Sequence, residues 1–397
     1  MLVSTLIGTI HTEANIQVDS NETAIAPIVF GNASISSRQQ TPNDVCVSSD
    51  GKMFSVSFLP LWQLIRGSTP ASIVAWGNDG NVLWSHTTIA GEQVLYQIAT
   101  DDQYVFATGA REGNLFFAKY DLLGRSILNA SWDQGGDEEG KKMALLEDGT
   151  FVIGGRSIDS SGNTTEYFLV TFDQNGQIRW YETYSEFPYF SCYSNSIYII
   201  TNSTLQKRTS SGVIEWSTHC DEGVPACINN QLLYILDFPE NTVLSYFGVT
   251  KWNLTTQASE WSFDYIIRDA DNETYDSNMQ DYSVTQNGSL MILNFIYDLG
   301  KSYLLTVNQE GSVTSCINIY DGRFFPTCLD VNQDDRVHVA GTSDGFGQYV
   351  AVYDLEHSLN PNNGLSLSDF QTVTIVVVAV ILFDTGFIIY LRKRYGR

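Results

Sequence analysis

Apolar and polar residues alternate with a period of two over most of the first 357 positions, and short polar turns interrupt the alternation at regular intervals. That period puts successive side chains on opposite faces of a strand, so the pattern predicts a chain of strands and hairpins. One series of turns reads SSDGKMFSV at Ser48, ATDDQYVFA at Ala99, LEDGTFVIG at Leu146, YSNSIYII at Tyr193, INNQLLYI at Ile228, TQNGSLMI at Thr285 and NQDDRVHV at Asn332. Asp-Gly, Asn-Gly and Asp-Asp pairs tolerate positive φ and close tight hairpins. A second series falls between the copies of the first: VAWGNDGNVLW, AKYDLLGRSIL, VTFDQNGQIRW, QKRTSSGVIEW, TKWNLTTQASEW and TVNQEGSVTSC, with a degraded VYDLEHSLN last. Trp84, Trp180 and Trp216 each stand four residues after a turn glycine, and Trp261 follows its longer turn in the same way. A large ring at a fixed place in each repeat is what packing between neighbouring sheets needs.

Two hairpins per repeat make a four-stranded unit. Turn residues 50, 101, 148, 194, 229, 287 and 334 lie 35 to 58 residues apart, centred near the length of a propeller blade. Four-stranded blades set radially around a channel cover both faces of each sheet and leave short edges. The fold class expected is therefore all-β, a β-propeller of seven blades over residues 28–357, with six or eight blades as alternatives. The seventh repeat stops after its third strand near Asp354, and IVFGNASI at Ile28 is expected to supply the missing outer strand.

Composition agrees: 21 Tyr, 21 Phe and 8 Trp stand against 9 Pro, the profile of half-buried pleated surfaces. The charge is lopsided, −24 overall and −27 before Phe370. Such a surface repels phosphate backbones, which argues against nucleic acid as a partner.

Residues 370–391, FQTVTIVVVAVILFDTGFIIYL, carry one charge in 22 positions. As a helix they would span about 33 Å, enough to cross a bilayer. The RKRYGR tail at 392–397 follows, after a linker at 358–369. A basic flank belongs on the cytoplasmic side, so the expected topology is a single-pass cell-membrane protein with its N-terminus outside. Residues 1–14 are read as an atypical or truncated signal segment, with no Lys or Arg before the apolar stretch. Asp384 would lie within the membrane, about 12 Å from Arg392, either as a contact for a partner helix or as a tolerated, protonated residue.

Glycosylation sequons start at Asn21, Asn32, Asn129, Asn163, Asn202, Asn253, Asn272 and Asn287. Six cysteines suit an oxidising compartment. Cys46, Cys192, Cys227 and Cys328 precede first-series turns and so belong to innermost strands, whereas Cys220 and Cys316 end outer ones. Disulfides Cys220–Cys227 and Cys316–Cys328 are expected to staple one blade to the next, while Cys46 and Cys192, in blades one and four, stand too far apart to bond.

The repeats GNLFFAKYDLLGRSIL at Gly113 and EYFLVTFDQNGQIRW at Glu166 resemble extracellular propeller repeats of the SBBP type and, more loosely, PQQ-like repeats. The resemblance implies a propeller fold at a cell surface and no particular activity. The Ala-X-Asp of PQQ-like repeats is absent, so a quinone cofactor does not carry over.

Motifs for chemistry are scarce. The five histidines are scattered, and neither a nucleophile elbow nor a P-loop is present. Asp173 lies three residues before Gly176 and Trp180 four after it, which departs from the sialidase Asp-box. Asp330, Asn332 and Asp334 have the D-x-N-x-D spacing of a Ca²⁺ loop, but they also form the first hairpin turn of blade seven and lack the glycine and glutamate of an EF-hand. No other cofactor is implied. The expected function is a surface-anchored binding or adhesion platform for a protein or glycan ligand. A structural cell-envelope component and a surface-anchored hydrolase, its carboxylates drawn from distant blades, are the alternatives.

Overall fold

The computed structural model describes residues 12–17, 27, 29–33, 41–58, 71–87, 93–220, 223–227, 231–237, 246–268, 277–296, 299–319, 324–343 and 348–354. The chain divides into two units, Met1–Tyr353 and Asp354–Arg397. Among the described residues no helix is long and apolar enough to cross a membrane. Segment 370–391, with Asp384, lies outside the described residues, as do the sequons at Asn21 and Asn272.

The described strands form seven sheets. Two come first in the chain: β1 (Thr12–Gln17) and β2 (Val29–Ala33). Blade 1 holds β3 (Thr41–Val47), β4 (Met53–Phe58), β5 (Ser72–Trp76) and β6 (Val82–Thr87). Blade 2 holds β7 (Gln93–Thr100), β8 (Tyr104–Arg111), β9 (Asn114–Asp121) and β10 (Ser126–Trp132). Blade 3 holds β11 (Asp137–Leu145), β12 (Phe151–Ile158), β13 (Thr164–Phe172) and β14 (Ile178–Tyr184). Blade 4 holds β15 (Tyr189–Tyr193), β16 (Ser196–Thr201), β17 (Thr204–Thr209) and β18 (Ile214–His219). Blade 5 holds β19 (Val224–Cys227), β20 (Leu232–Asp237), β21 (Tyr246–Asn253) and β22 (Ala258–Arg268). Blade 6 holds β23 (Ser277–Val284), β24 (Leu290–Ile296), β25 (Lys301–Val307) and β26 (Val313–Asn318). Blade 7 has β27 (Phe324–Val331), β28 (Val337–Ser343) and β29 (Gln348–Tyr353), completed on its outer edge by β2. β2 runs antiparallel to β29, with Gly31 opposite Val350, so the early strand closes the ring as the truncated seventh repeat requires.

The seven-blade count holds, and both turn series lie on one face of the disc. Asp121, Asp173 and Asn308 of the second series, and Asp159 of the β12–β13 turn at the opposite end of the strands, each accept the N–H groups two and four residues on, at 2.8–3.1 Å. This explains why the turns need a short carboxylate or amide at that place. The tryptophans bind adjoining blades: the indole N–H donates to the Leu122 carbonyl from Trp84 (2.9 Å), to Ser210 from Trp180 (3.0 Å) and to Gln309 from Trp261 (2.9 Å). Trp180 covers Gly212 of the next turn so closely that a Cβ there would meet its ring at 2.8 Å.

One strand falls outside the four-per-blade pattern. β1 adds to blade 5 by pairing in parallel with β22, Ile16 opposite Ile267, and Ile16 is 2% exposed in the core between blades 5 and 6. Thr12–Ala14, the end of the segment read as a signal, are thus the first half of a strand.

The cysteine expectation is corrected. Cys46, Cys192, Cys227 and Cys328 do lie on innermost strands, but Cys328 is a free buried thiol and the Cys316–Cys328 bridge is not formed. Cys316 sits on β26, the outermost strand of its blade. Three steps of about 4.8 Å separate that strand from the innermost one, beyond the Cα separation of a disulfide. The Cys220–Cys227 pair falls on Cys227, whose side chain lies outside the described residues.

Candidate functional site: the central channel

The innermost strand of every blade faces the axis, and its inward N–H and C=O groups have no strand to pair with. Such groups need partners. The chain supplies them from a β-bulge in five inner strands, at Pro42/Asp44, Leu95/Gln97, Gly140/Lys142, Met279/Asp281 and Pro326/Cys328. In blades 1, 2 and 6 the residue after the bulge reaches to the next blade. Asp44 accepts the Ile98 N–H (2.8 Å), Gln97 accepts that of Met143, and Asp281 accepts that of Leu329 (2.9 Å). In blade 7 the equivalent residue is Cys328, a weak acceptor, and Asp330 two positions on accepts the Val47 N–H instead (3.0 Å). The inner carboxylates thereby staple consecutive blades, including the 7–1 seam where the ring closes.

These residues line a cavity of about 580 Å³ to which all seven blades contribute. Asp44, Asp281 and Asp330 lie on blades 1, 6 and 7, and Lys141 and Lys142 on blade 3; Tyr96, Phe187, Tyr189 and Tyr282 add an aromatic lining. Lys141 is held by Glu139 (2.8 Å) beneath the Tyr96 ring, and Arg156 reaches the same carboxylate (2.9 Å). Lys142 extends across the axis to the Tyr282 hydroxyl on blade 6 (3.4 Å). Both residues also line a second cavity of about 440 Å³, with Leu145, Cys192, Ala226 and Val284. Lys142 and Tyr282 thus stand on the wall shared by the two cavities.

Burial drives the channel carboxyls upward. Asp281 is pushed up to about 7 by burial, with the neighbouring Asp330 adding to the shift, and burial raises Asp330 to about 6. Asp44 is raised well above the usual range by burial and by both neighbours. The unfolded carboxyl titrates near about 4, so between about pH 4 and 7 the folded chain binds more protons than the unfolded one. Stability from this source falls as pH rises through that window and stays lost above it. Asp281→Asn keeps an oxygen for the Leu329 N–H. It is expected to raise stability at pH 8 by about 1–3 kcal/mol and to change it little at pH 4. Urea unfolding at the two pH values checks this; equal shifts at both would show that the carboxyl is not held uncharged.

The candidate metal loop does not converge. The Asp330 carboxylate faces the channel on Val47 and Ser283, while the Asn332 side-chain oxygen accepts the Asp334 and Arg336 N–H groups (3.0 and 2.9 Å), as in the other capped turns. Among the described residues no group of three His, Cys, Asp or Glu side chains is placed to hold a metal ion. Of the sequons, Asn129, Asn163, Asn202 and Asn287 are exposed, whereas the Asn253 amide is engaged by Glu260 (2.8 Å); Asn32 stands on β2, its side chain outside the described residues.

Sequence reading singled out Asp330 and Cys328 for other roles and passed over Asp44, Lys142 and Asp281, although a signal exists. Asp44, Lys142, Asp281 and Cys328 each stand six residues before a turn residue, Asp50, Asp148, Asn287 and Asp334. Alignment on the turns brings them to one level.

No family model matches the chain, and no curated protein matches it. Solved structures do resemble it. A catalytically inactive virginiamycin B lyase from Staphylococcus aureus, crystallised with quinupristin, superposes with a TM-score of 0.54 at 11% identity, over 82% of this chain and 99% of the other. The Pan2 WD40 domain of Neurospora crassa does so with 0.50 at 11% identity, over 85% and 97%. At such identity the likeness is one of fold, and the chain is a seven-bladed β-propeller.

Proposed function

We propose that the protein is a non-catalytic binding platform whose ligand, a surface protein or a glycan, seats on the 580 Å³ chamber, and that residues 370–391 tether the platform to a membrane with the propeller outside. The observation that carries the reading is the chamber itself, a concave site lined by four aromatic rings and by polar or charged side chains from blades 1, 2, 3, 6 and 7. Its ionisable groups are already engaged. Asp44, Asp281 and Asp330 hold backbone N–H groups and Lys141 is ion-paired, an arrangement that favours a rigid wall over acid–base chemistry.

Cross-linking on intact cells expressing the full chain, followed by mass spectrometry, tests the platform. A partner captured by the wild type is expected to bind at least about tenfold more weakly to Phe187→Ala/Tyr189→Ala, because buried aromatic contacts dominate such sites. Undiminished capture would move the ligand away from the channel. The tether is tested separately. Alkaline carbonate washing is expected to leave the full chain with the membranes and to release a chain ending at Asp369.

A further inference from the structure

We propose that the cleft on the turn face between blades 7 and 1 is a second binding site, for a small zwitterion of the size of a free α-amino acid, anchored by His338. The internal repeat singles this residue out. In five blades the first hairpin turn opens with a residue whose sixth successor is buried at the same place on the second strand. Those residues are Phe54, Phe106, Val152, Met291 and His338, all 3% exposed or less. Four are apolar. Only His338 puts an imidazole there, and neither ring nitrogen has a hydrogen-bond partner. A buried polar group without a partner costs about 1–3 kcal/mol, so the substitution calls for something that repays it.

What lies beside the ring is a cleft of about 170 Å³, the share of some five or six waters at about 30 Å³ each. Three other seams are tied turn to turn: Ser49 N–H to Asp102 (2.6 Å), Asp148 N–H to Asn195 (2.8 Å) and Gln286 N–H to Asp335 (3.0 Å). Among the described residues no such bond crosses the 7–1 seam, and the cleft stands in its place.

The unused groups in the cleft define its ligand. Asp50 is taken by Ser48 and Lys52, and the Asn332 oxygen by its own turn. The charges left over are one cation and one anion: the exposed Arg336 guanidinium, in no ion pair among the described residues, and the exposed Asp334 carboxylate. Burial, with Arg336 adding to it, lowers His338 to about 4. At neutral pH the ring therefore offers one N–H and one lone pair. A ligand carboxylate would meet Arg336 and the His338 N–H, while a ligand ammonium would meet Asp334.

The site is independent of the channel platform and is tested on the full-length protein with glycine as probe. Glycine in the millimolar range is expected to raise the melting temperature saturably by a few degrees. It is also expected to shift the His338 imidazole signals of histidine-labelled protein. Acetate and methylammonium, each carrying one of the two charges, should act at least about tenfold more weakly. His338→Met installs the residue blade 6 carries at this place and should abolish the response while leaving the fold intact. Arg336→Gln should weaken it about tenfold or more. The proposal is overturned by the absence of a saturable response to glycine, by an undiminished response in His338→Met, or by acetate acting as well as glycine. Should His338→Met fail to fold, the imidazole signals of the wild type still decide, since ligand contact with the ring must move them.

Discussion

A chain lacking residues 1–34 is expected not to hold the propeller together, although every strand of blades 1 to 6 except the added β1 is still present. The reason is the way the ring closes. β2 joins the first part of the chain to β29 through five paired residues, Val29–Ala33 against Gln348–Val352. All six residues of β29 are buried. Without β2 that strand becomes an open edge with unpaired backbone groups, and the packing of Val350 and Val352 against blade 1 loses its support. At about 1 kcal/mol for each net hydrogen bond, together with the exposed apolar surface, the loss is about 5 kcal/mol or more. Domains of this kind have only about 5–15 kcal/mol in total, and an open edge also invites aggregation. A shorter deletion, residues 1–19, removes only β1 and the buried Ile16; it is expected to cost about 2–3 kcal/mol and leave the ring closed. Melting curves and light scattering separate the two. A deletion of 1–34 that melts like the intact chain would show that β2 does not close the ring.

Gly109→Ala is expected to lower stability by at least about 3 kcal/mol, far more than a methyl group ordinarily does. A Cβ at Gly109 would lie 1.8 Å from the Val94 carbonyl oxygen; at Gly155 it would lie 2.1 Å from that of Glu139, and at Gly341 2.1 Å from that of Phe325. All three glycines are on second strands, opposite the bulged inner strands of blades 2, 3 and 7. The bulge drives the inner backbone against the second strand, and only a residue without a side chain leaves room. Relief requires the inner strand to move, which would also draw Gln97 away from the Met143 N–H. Gly162→Ala supplies the contrast. Its φ is +84° but nothing lies within 4 Å, so a cost near about 1 kcal/mol is expected from backbone strain alone. Similar losses in denaturant unfolding for Gly109→Ala and Gly162→Ala would show that the close approach is not what fixes glycine at position 109.

Much of the fold was legible because its signals are local. Asp173 and Gly176 close their turn within five residues, and Trp180 follows at a fixed offset, so the repeat could be read without knowing what the ring touches. Even the closing strand could be inferred, since a seventh repeat one strand short needs a partner and IVFGNASI stood unassigned. The second-strand glycines were visible too, in FATGAR, VIGGRS and HVAGTS. Their meaning depends on a bulge in another strand.

Where reading failed, the missing quantity was radial distance. Cys316 and Cys328 are twelve positions apart in the chain, yet the path between them leads from an outermost strand to an innermost one. Conversely, Asp44 is more than two hundred positions from Asp281 and Asp330 yet shares one wall of the channel with them, and Lys142 meets Tyr282 from the opposite side. Neither grouping follows from periodicity, which places a side chain on a face of its own sheet and says nothing of what the other sheets bring to the axis.

The sequence by itself determined the strand class, the four-strand repeat, the turn chemistry and the closing strand, because alternation and turn capping act over a few residues and recur at a regular spacing. Only the tertiary structure decided which carboxyls are pushed toward neutrality, which bulges demand glycine, and where an imidazole is left beside a cleft. Those properties come from burial and from contacts between blades, and they arise once seven sheets have closed around one axis.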